Sequence, residues 1–322
     1  YNDFGNSTGS GTITVSGTAN ITGNTGGNVN LRQNQVITIG IEGLESSARI
    51  GVTMASEIVE GETAIVAKVA SDDYMEHHLT EDDLAAFISD DGYTTKKKDA
   101  DTVVFANGEP HVHAVCGTAG CTEEGHSEEV WKCITKLSEI TGDGSYYLKD
   151  SVTLDKTWTC NYNVKLCLNG KTITGSDEYA TISVKSEKSL DITDCRETGT
   201  ITHESGKKGI GIYVQGTSTL WNGAVTGNNG DSAVFVGDKG STFKMNGGSI
   251  TGNNGKYSGG VFTNGTFEMN GGSITENTSS NSYGDGGGVY VSAGTFTMTG
   301  GRIAENKGDY SGGVYVDSNF KM

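Results

Sequence analysis

Positive charge is scarce in this chain. Lys and Arg together number 23, with Arg at only four positions, against 40 Asp and Glu, for a net charge of -17 over 322 residues. Binding along a phosphate backbone needs a basic face, so nucleic acid is excluded as a partner. The acidic balance suits a self-repelling protein in salt-rich surroundings and is compatible with cation binding. Long apolar runs are missing too: no stretch approaches the roughly 18 apolar residues of a membrane span, so no membrane insertion is expected of this segment. Proline occurs once, and only one stretch favours helix. There is no initiating Met and no signal-peptide pattern at Tyr1, and the chain stops at Phe320-Lys321-Met322 partway through a repeat. The expectation is a piece of a longer polypeptide.

What the chain has is glycine and repetition. Gly accounts for 49 residues, about twice the average share. Phe243-x-Met245, Phe267-x-Met269, Phe296-x-Met298 and Phe320-x-Met322 recur at spacings of 24, 29 and 24 residues. Between them run Gly247-Gly248-Ser249-Ile250, Gly271-Gly272-Ser273-Ile274 and Gly300-Gly301-Arg302-Ile303, with Asn253, Asn277 and Asn306 each three residues beyond the Ile. A third strand reads Gly260-Val261-Phe262, Gly288-Val289-Tyr290 and Gly313-Val314-Tyr315. One such unit cannot bury its apolar face without a neighbour, so repeats of this size signal a stacked architecture. Phe and Met two apart point to one side of a strand, as do Val289 and Val291, while Tyr290 and Tyr315 face the other way. Gly-Gly pairs permit the positive φ of a sharp corner. Asn228, Asn253, Asn277 and Asn306 are expected to form a ladder of amide hydrogen bonds from coil to coil. The fold class is all-β: a right-handed parallel β-helix, a solenoid of about 25-residue coils, with handedness from the general preference of parallel crossovers.

Three parts follow. Residues 1–68 carry the same grammar in Ile13-Thr14-Val15, Ile21 with Asn24, Val29-Asn30-Leu31, Val36 to Ile39 and Ile50-Gly51-Val52, and read as the closing coils of an upstream β-helix. Residues 69–135 read as cap and linker: Thr80 is an N-cap before an acidic turn, and Leu84, Phe87 and Ile88 supply a short apolar helical face that covers the open coil. Lys96-Lys97-Lys98 is a solvated charge run, and Val103-Val104-Phe105 is a strand. Residues 136–322 form a second β-helix, beginning near Tyr146 with irregular coils and cut within its last one.

One local cluster carries potential chemistry, His111-x-His113-x-x-Cys116-x4-Cys121-x4-His126. Zinc takes four N or S ligands, and Cys116, Cys121, His126 with either His111 or His113 would close a structural site. Such a site would stabilise a small knuckle without a catalytic position. A Cys116–Cys121 disulfide in an oxidising compartment is the competing reading. Cys167 and Cys195 lie 28 residues apart, close to one coil, a spacing that would let them stack or pair between neighbours; the default reading for these two and for Cys133 and Cys160 is a small buried apolar thiol.

Parallel β-helices also host polysaccharide lyases and hydrolases, which need clustered carboxylates with a Lys or Arg on an outward face. Here the outward positions of the regular coils are Ser, Thr, Asn and Lys, and Asp231, Asp285 and Asp309 stand one per coil in loops, as turn residues do. The chain is therefore expected not to be an enzyme. Tyr257, Tyr283 and Tyr310 recur in one loop of successive coils and are the candidate binding surface, a platform for sugar rings or peptide.

The Gly-Gly-x-Ile-x-x-Asn and Gly-Gly-Val-Tyr-Val coils, with the lead-in Tyr146-Tyr147-Leu148, Val152-Thr153-Leu154, Trp158 and Leu166-Cys167-Leu168-Asn169-Gly170, resemble large secreted or wall-attached β-helix repeat proteins of anaerobic Gram-positive gut bacteria. The His-x-His-x-x-Cys stretch resembles the linker between their modules, and the coil grammar is similar to that of bacterial adhesins. The resemblance implies a pectin-lyase-like fold and an extracellular location, at the cell surface or secreted. It implies a stalk or adhesive role, with glycan or a host or bacterial surface protein as partner. A carbohydrate-active β-helix enzyme is the alternative.

Overall fold

The computed structural model describes residues 12–25, 27–32, 34–59, 61–71, 78–109, 111–118, 121–123, 126–279 and 286–317. Two compact units divide between residues 110 and 111, inside the segment expected to be cap and linker.

The first unit contains short parallel coils. Ile13–Gly17, Ile37–Leu44 and Thr63–Val69 stack in parallel on one side. Arg49–Met54 pairs in parallel with Asn20–Ile21 and Val29–Leu31 on the other. Val15, Leu31, Ile37, Ile39, Ile50 and Val52 are the buried residues between. The helix runs Glu81–Ala86, with Thr80 as its cap: the Thr80 side chain accepts from Asp83 N–H while the Asp83 carboxylate accepts from Thr80 N–H. The expected apolar helical face is corrected at its end. Phe87 and Ile88 belong to a strand, Phe87–Ser89, that adds a parallel rung to Arg49–Met54. Phe87 is buried there and Ile88 is exposed, as strand alternation requires. Pairing with an open strand edge satisfies a row of backbone groups that a longer helix would leave unmet. An antiparallel pair, Thr94–Asp99 with Thr102–Ala106, then closes the sheet. Val103 and Phe105 are buried in it, and Lys96-Lys97-Lys98 lies on its edge strand, where charge opposes further pairing.

The second unit is the expected solenoid, a nearly all-β stack of parallel sheets. Its three main faces hold nine, seven and seven strands. In the regular coils the first face is Thr242–Met245, Thr266–Met269 and Thr295–Met298, the second Ser249–Thr251, Ser273–Thr275 and Arg302–Ala304, and the third Val261–Thr263, Val289–Val291 and Val314–Val316. Register is exact in kind as well as in number: Phe243 pairs Phe267 and Phe267 pairs Phe296, while Met245, Met269 and Met298 align alongside. Phe243, Met245, Phe267 and Met269 are fully buried, with ring centroids 5.4 Å apart for Phe243–Phe267 and 4.9 Å for Phe267–Phe296. Phe320 and Met322 lie outside the described residues. The asparagine ladder also forms. Both the backbone N–H and the side-chain Nδ2 of Asn228 donate to Asn253 Oδ1, those of Asn253 to Asn277, and those of Asn277 to Asn306, at 2.9 to 3.1 Å. Each rung presents the same residue to its neighbour, so the pattern propagates without a register choice. At Gly248 (φ +69°) and Gly272 (φ +78°) the corner is left-handed, and a Cβ at Gly248 would lie 2.6 Å from the carbonyl oxygen of Gly223. Glycine is required at those corners.

Candidate functional site

The solenoid's first face opens with an antiparallel hairpin, His111–Ala114 against Glu128–Ile134. Its residues reach well beyond their own rung. The His111 ring stacks on Tyr147 (4.2 Å) and the His113 ring on Trp131 (4.4 Å). His126 meets Trp221 edge-on at 4.9 Å. The hairpin thus lies over the outer surface of the first face, crossing several coils. At Gly117 it approaches closely: φ is +86°, and a Cβ there would lie 2.8 Å from Thr193 Oγ1.

The five candidate metal ligands divide into two groups. Cys116, Cys121 and His126 stay together, their ligand atoms within 4.8 Å of one another and Cys121 Sγ 3.5 Å from His126 Nδ1. His111 and His113 point elsewhere. They converge with Cys167 and Cys195, again with all four ligand atoms within 4.8 Å. Cys195 Sγ stands 3.5 Å from His111 Nε2 and 3.5 Å from Cys167 Sγ. Neither Cys116–Cys121 nor Cys167–Cys195 is joined as a disulfide.

Each member of the second group is held from behind. Cys167 is on the strand Val164–Cys167, facing away from the Leu166 side chain that enters the core. Cys195 follows the strand Ser189–Thr193. It stands on a corner fixed by the buried Asp194 carboxylate, which accepts from the backbone N–H of Gly170, Arg196 and Gly199 at 2.6, 3.3 and 2.5 Å. His113 is 2% exposed. Its Nδ1 lies 2.7 Å from the Ala114 carbonyl. A carbonyl only accepts, so Nδ1 carries the proton and Nε2 the lone pair. That Nε2 is buried without a hydrogen-bond partner. Trp131 Nε1 donates to the His113 carbonyl at 2.9 Å, fixing the backbone as well as the ring. Cys167 donates to Cys195, which with help from His111 lowers the Cys195 pKa to about 3 and drives that of Cys167 upward. Cys160, by contrast, lies in the core, where burial pushes its thiol up to about 11, and it behaves as the expected apolar residue. Cys167 and Cys195 were legible as stacked neighbours from their one-coil spacing. Their convergence with two histidines far upstream had no local signal.

The third face carries a continuous aromatic ladder. Tyr213, Phe235, Phe262, Tyr290 and Tyr315 occupy one register on successive strands. Together with Tyr179 their rings follow one another at 5.5, 5.4, 4.6, 5.1 and 5.3 Å. All turn away from the valine-lined core, yet Phe262 and Tyr290 are only 7% exposed. The loop tyrosines do part of the covering. Tyr257 packs on Phe262 of the next strand (5.5 Å) and Tyr310 on Tyr315 (5.6 Å). Tyr257 is half-buried beneath Lys256, whose Nζ sits 4.7 Å from the ring centroid, whereas Tyr310 is exposed. Tyr283 lies outside the described residues. At the other end of the ladder Tyr179, half exposed, borders a cleft of about 510 Å³ with Glu178, Lys208, Asp231 and Lys256. A cleft of about 590 Å³ in the first unit, lined by Leu31, Met54, Ile58 and Val59 among others, has no comparable aromatic ladder beside it.

No helix among the described residues is long and apolar enough to cross a membrane. No protein-family model matches the chain, and no curated protein or solved structure is significantly similar to it.

Proposed function

We propose that this chain is part of a non-catalytic β-helical stalk of the cell exterior that binds glycan or protein along its third face. The aromatic ladder carries the reading. The rings exposed at its two ends, Tyr179 and Tyr310, match the chemistry of sugar rings, which offer C–H faces for stacking and, beside Tyr179, hydroxyls for the flanking Lys and Asp. The solenoid holds these exposed rings at a fixed spacing, so weak contacts add through multivalency. Structural metal in the segment that opens the second unit belongs to the same reading, since it would hold a loop-rich region with little core of its own. The test is a glycan array probed with the whole chain and with a Tyr179→Ala/Tyr257→Ala/Tyr310→Ala variant. Binding by the parent and its loss in a variant with unchanged melting supports the platform. Equal binding by both removes it.

One observation favours the enzymatic alternative: Glu178 and Asp231 border the same cleft beside Tyr179. Two carboxylates flanking a sugar are the usual equipment for glycoside cleavage. Release of oligosaccharides from pectin-, mucin- or host-type polysaccharide, abolished by Glu178→Gln or Asp231→Asn, would establish that activity in place of the stalk.

A further inference from the structure

We propose that His111, His113, Cys167 and Cys195 together bind one zinc ion, which staples the entry hairpin onto the outer face of the solenoid. This inference does not depend on what the third face binds.

The donor set is two imidazole nitrogens and two thiol sulfurs, the composition of closed structural zinc sites. With Zn–S near 2.3 Å and Zn–N near 2.0–2.1 Å, tetrahedral ligands stand roughly 3.3–3.8 Å apart. The Cys167–Cys195 and Cys195–His111 edges, both 3.5 Å, fall within that span, and the remaining separations, all within 4.8 Å, need a contraction of at most about 1.5 Å. A disulfide would need the sulfurs near 2.05 Å. The buried lone pair of His113 Nε2 is an independent sign. Burying an imidazole nitrogen with nothing to accept costs free energy, and a metal ligated there removes that cost. The Nδ1–H to Ala114 carbonyl bond behind it is the arrangement that orients ligating histidines and raises their basicity. The sulfurs suit the same end: Cys195 Sγ stands 3.5 Å from both Cys167 Sγ and His111 Nε2, and the thiol protons leave to solvent on metal binding. Borderline-soft N and S donors in four-coordinate geometry select zinc over calcium or magnesium, which take oxygen.

The ligands come from three separate places: the hairpin strand His111–Ala114, the strand Val164–Cys167, and the corner after Ser189–Thr193. Zinc would therefore tie the antiparallel opening of the sheet to two successive coils, a cross-link spanning 84 residues between His111 and Cys195. The site differs from the Cys116–Cys121–His126 group, which offers three ligands and shares none of these four.

The experiment is metal analysis and differential alkylation of the whole chain, purified with zinc and reductant. Zinc should protect Cys167 and Cys195 together from iodoacetamide, and a chelator should expose both, as read by peptide mass. Cys195→Ser and His113→Gln should each lower the zinc content by about one equivalent relative to the parent, while Cys121→Ser leaves protection of Cys167 and Cys195 intact. Cobalt in place of zinc should give the thiolate charge-transfer and tetrahedral d–d bands, lost in Cys195→Ser. Equal alkylation of Cys167 and Cys195 with and without zinc in the parent chain overturns the proposal without recourse to any variant. So does a Cys167–Cys195 disulfide in protein prepared with reductant.

Discussion

At Phe267 one side chain meets its own kind on both sides, between Phe243 and Phe296. Phe267→Ala therefore opens a cavity that two neighbouring coils border, and should cost about 3–5 kcal/mol. Phe296, only partly buried, should cost less when truncated. A melt of the two variants against the parent chain reads the order, and equal losses would show that the coils do not share one continuous core. Asn253 presents the polar counterpart. Its Oδ1 accepts two hydrogen bonds from Asn228, and its Nδ2 serves the Val225 and Thr251 carbonyls and Asn277 Oδ1. Asn253→Ala leaves buried partners unmet, each costing about 1–3 kcal/mol. Asn253→Asp, which keeps the acceptor but loses the donors, should be destabilising as well, so the two variants separate lost acceptance from lost donation in chemical denaturation. Cys160, held up to about 11 by burial, should resist alkylation in the folded chain and react only on unfolding, even at pH 8.

Among the elements, the short helix Glu81–Ala86 depends on Thr80. Its capping box satisfies N–H groups at a terminus that six residues of helix cannot otherwise support, and Asp83 also accepts from Leu44 N–H at 2.7 Å. Thr80→Ala should destabilise the first unit by about 1 kcal/mol. Native-state hydrogen exchange should place the faster exchange in the helix and in Phe87–Ser89, with little change in the second unit. The same helix shows where local signals stop. Thr80 and the acidic turn were readable because capping is a relation between residues three apart. Phe87 and Ile88 were misplaced because their conformation is decided by Arg49–Met54, far away in sequence. Similarly, the strand positions of the aromatic ladder follow from period two, but their covering by Tyr257 and neighbouring loops depends on where those loops land.

Across the whole molecule, carboxylates link successive coils and set a pH dependence. Burial opposes the ionisation of Asp177, but the Thr157 hydroxyl and N–H both donate to it and prevail, lowering its pKa. At Asp143 the Asn163 backbone and side chain do the same. A carboxyl whose folded pKa is depressed stabilises the fold above its unfolded value, near 4, and loses that contribution as pH falls through the folded value. Asp191 acts in the opposite sense: burial raises its pKa, so its ionisation weakens the fold as pH rises through the unfolded range. The first two groups predict stability that is retained at neutral pH and falls below about pH 4. Asp177→Asn should flatten that fall, and a profile unchanged by the substitution would assign the acid loss to other groups.

The sequence alone determined the solenoid, its three-strand coil and its Phe, Met and Asn ladders, because a parallel stack places identical residues on identical ones and so writes its contacts as a period. It also marked His111, His113, Cys116, Cys121 and His126 as ligand-type residues, since short spacing is itself information. Which of them come together was decided only in three dimensions. The hairpin crosses the outer face of several coils, so His111 and His113 meet Cys167 and Cys195 while Cys116, Cys121 and His126 meet one another. That folding over is fixed by the ring contacts of His111 with Tyr147 and of His126 with Trp221 and by the close approach at Gly117, contacts between residues with no common period. Periodic contacts repeat and can be read along the chain; the aperiodic ones exist once, and only the packed structure decides them.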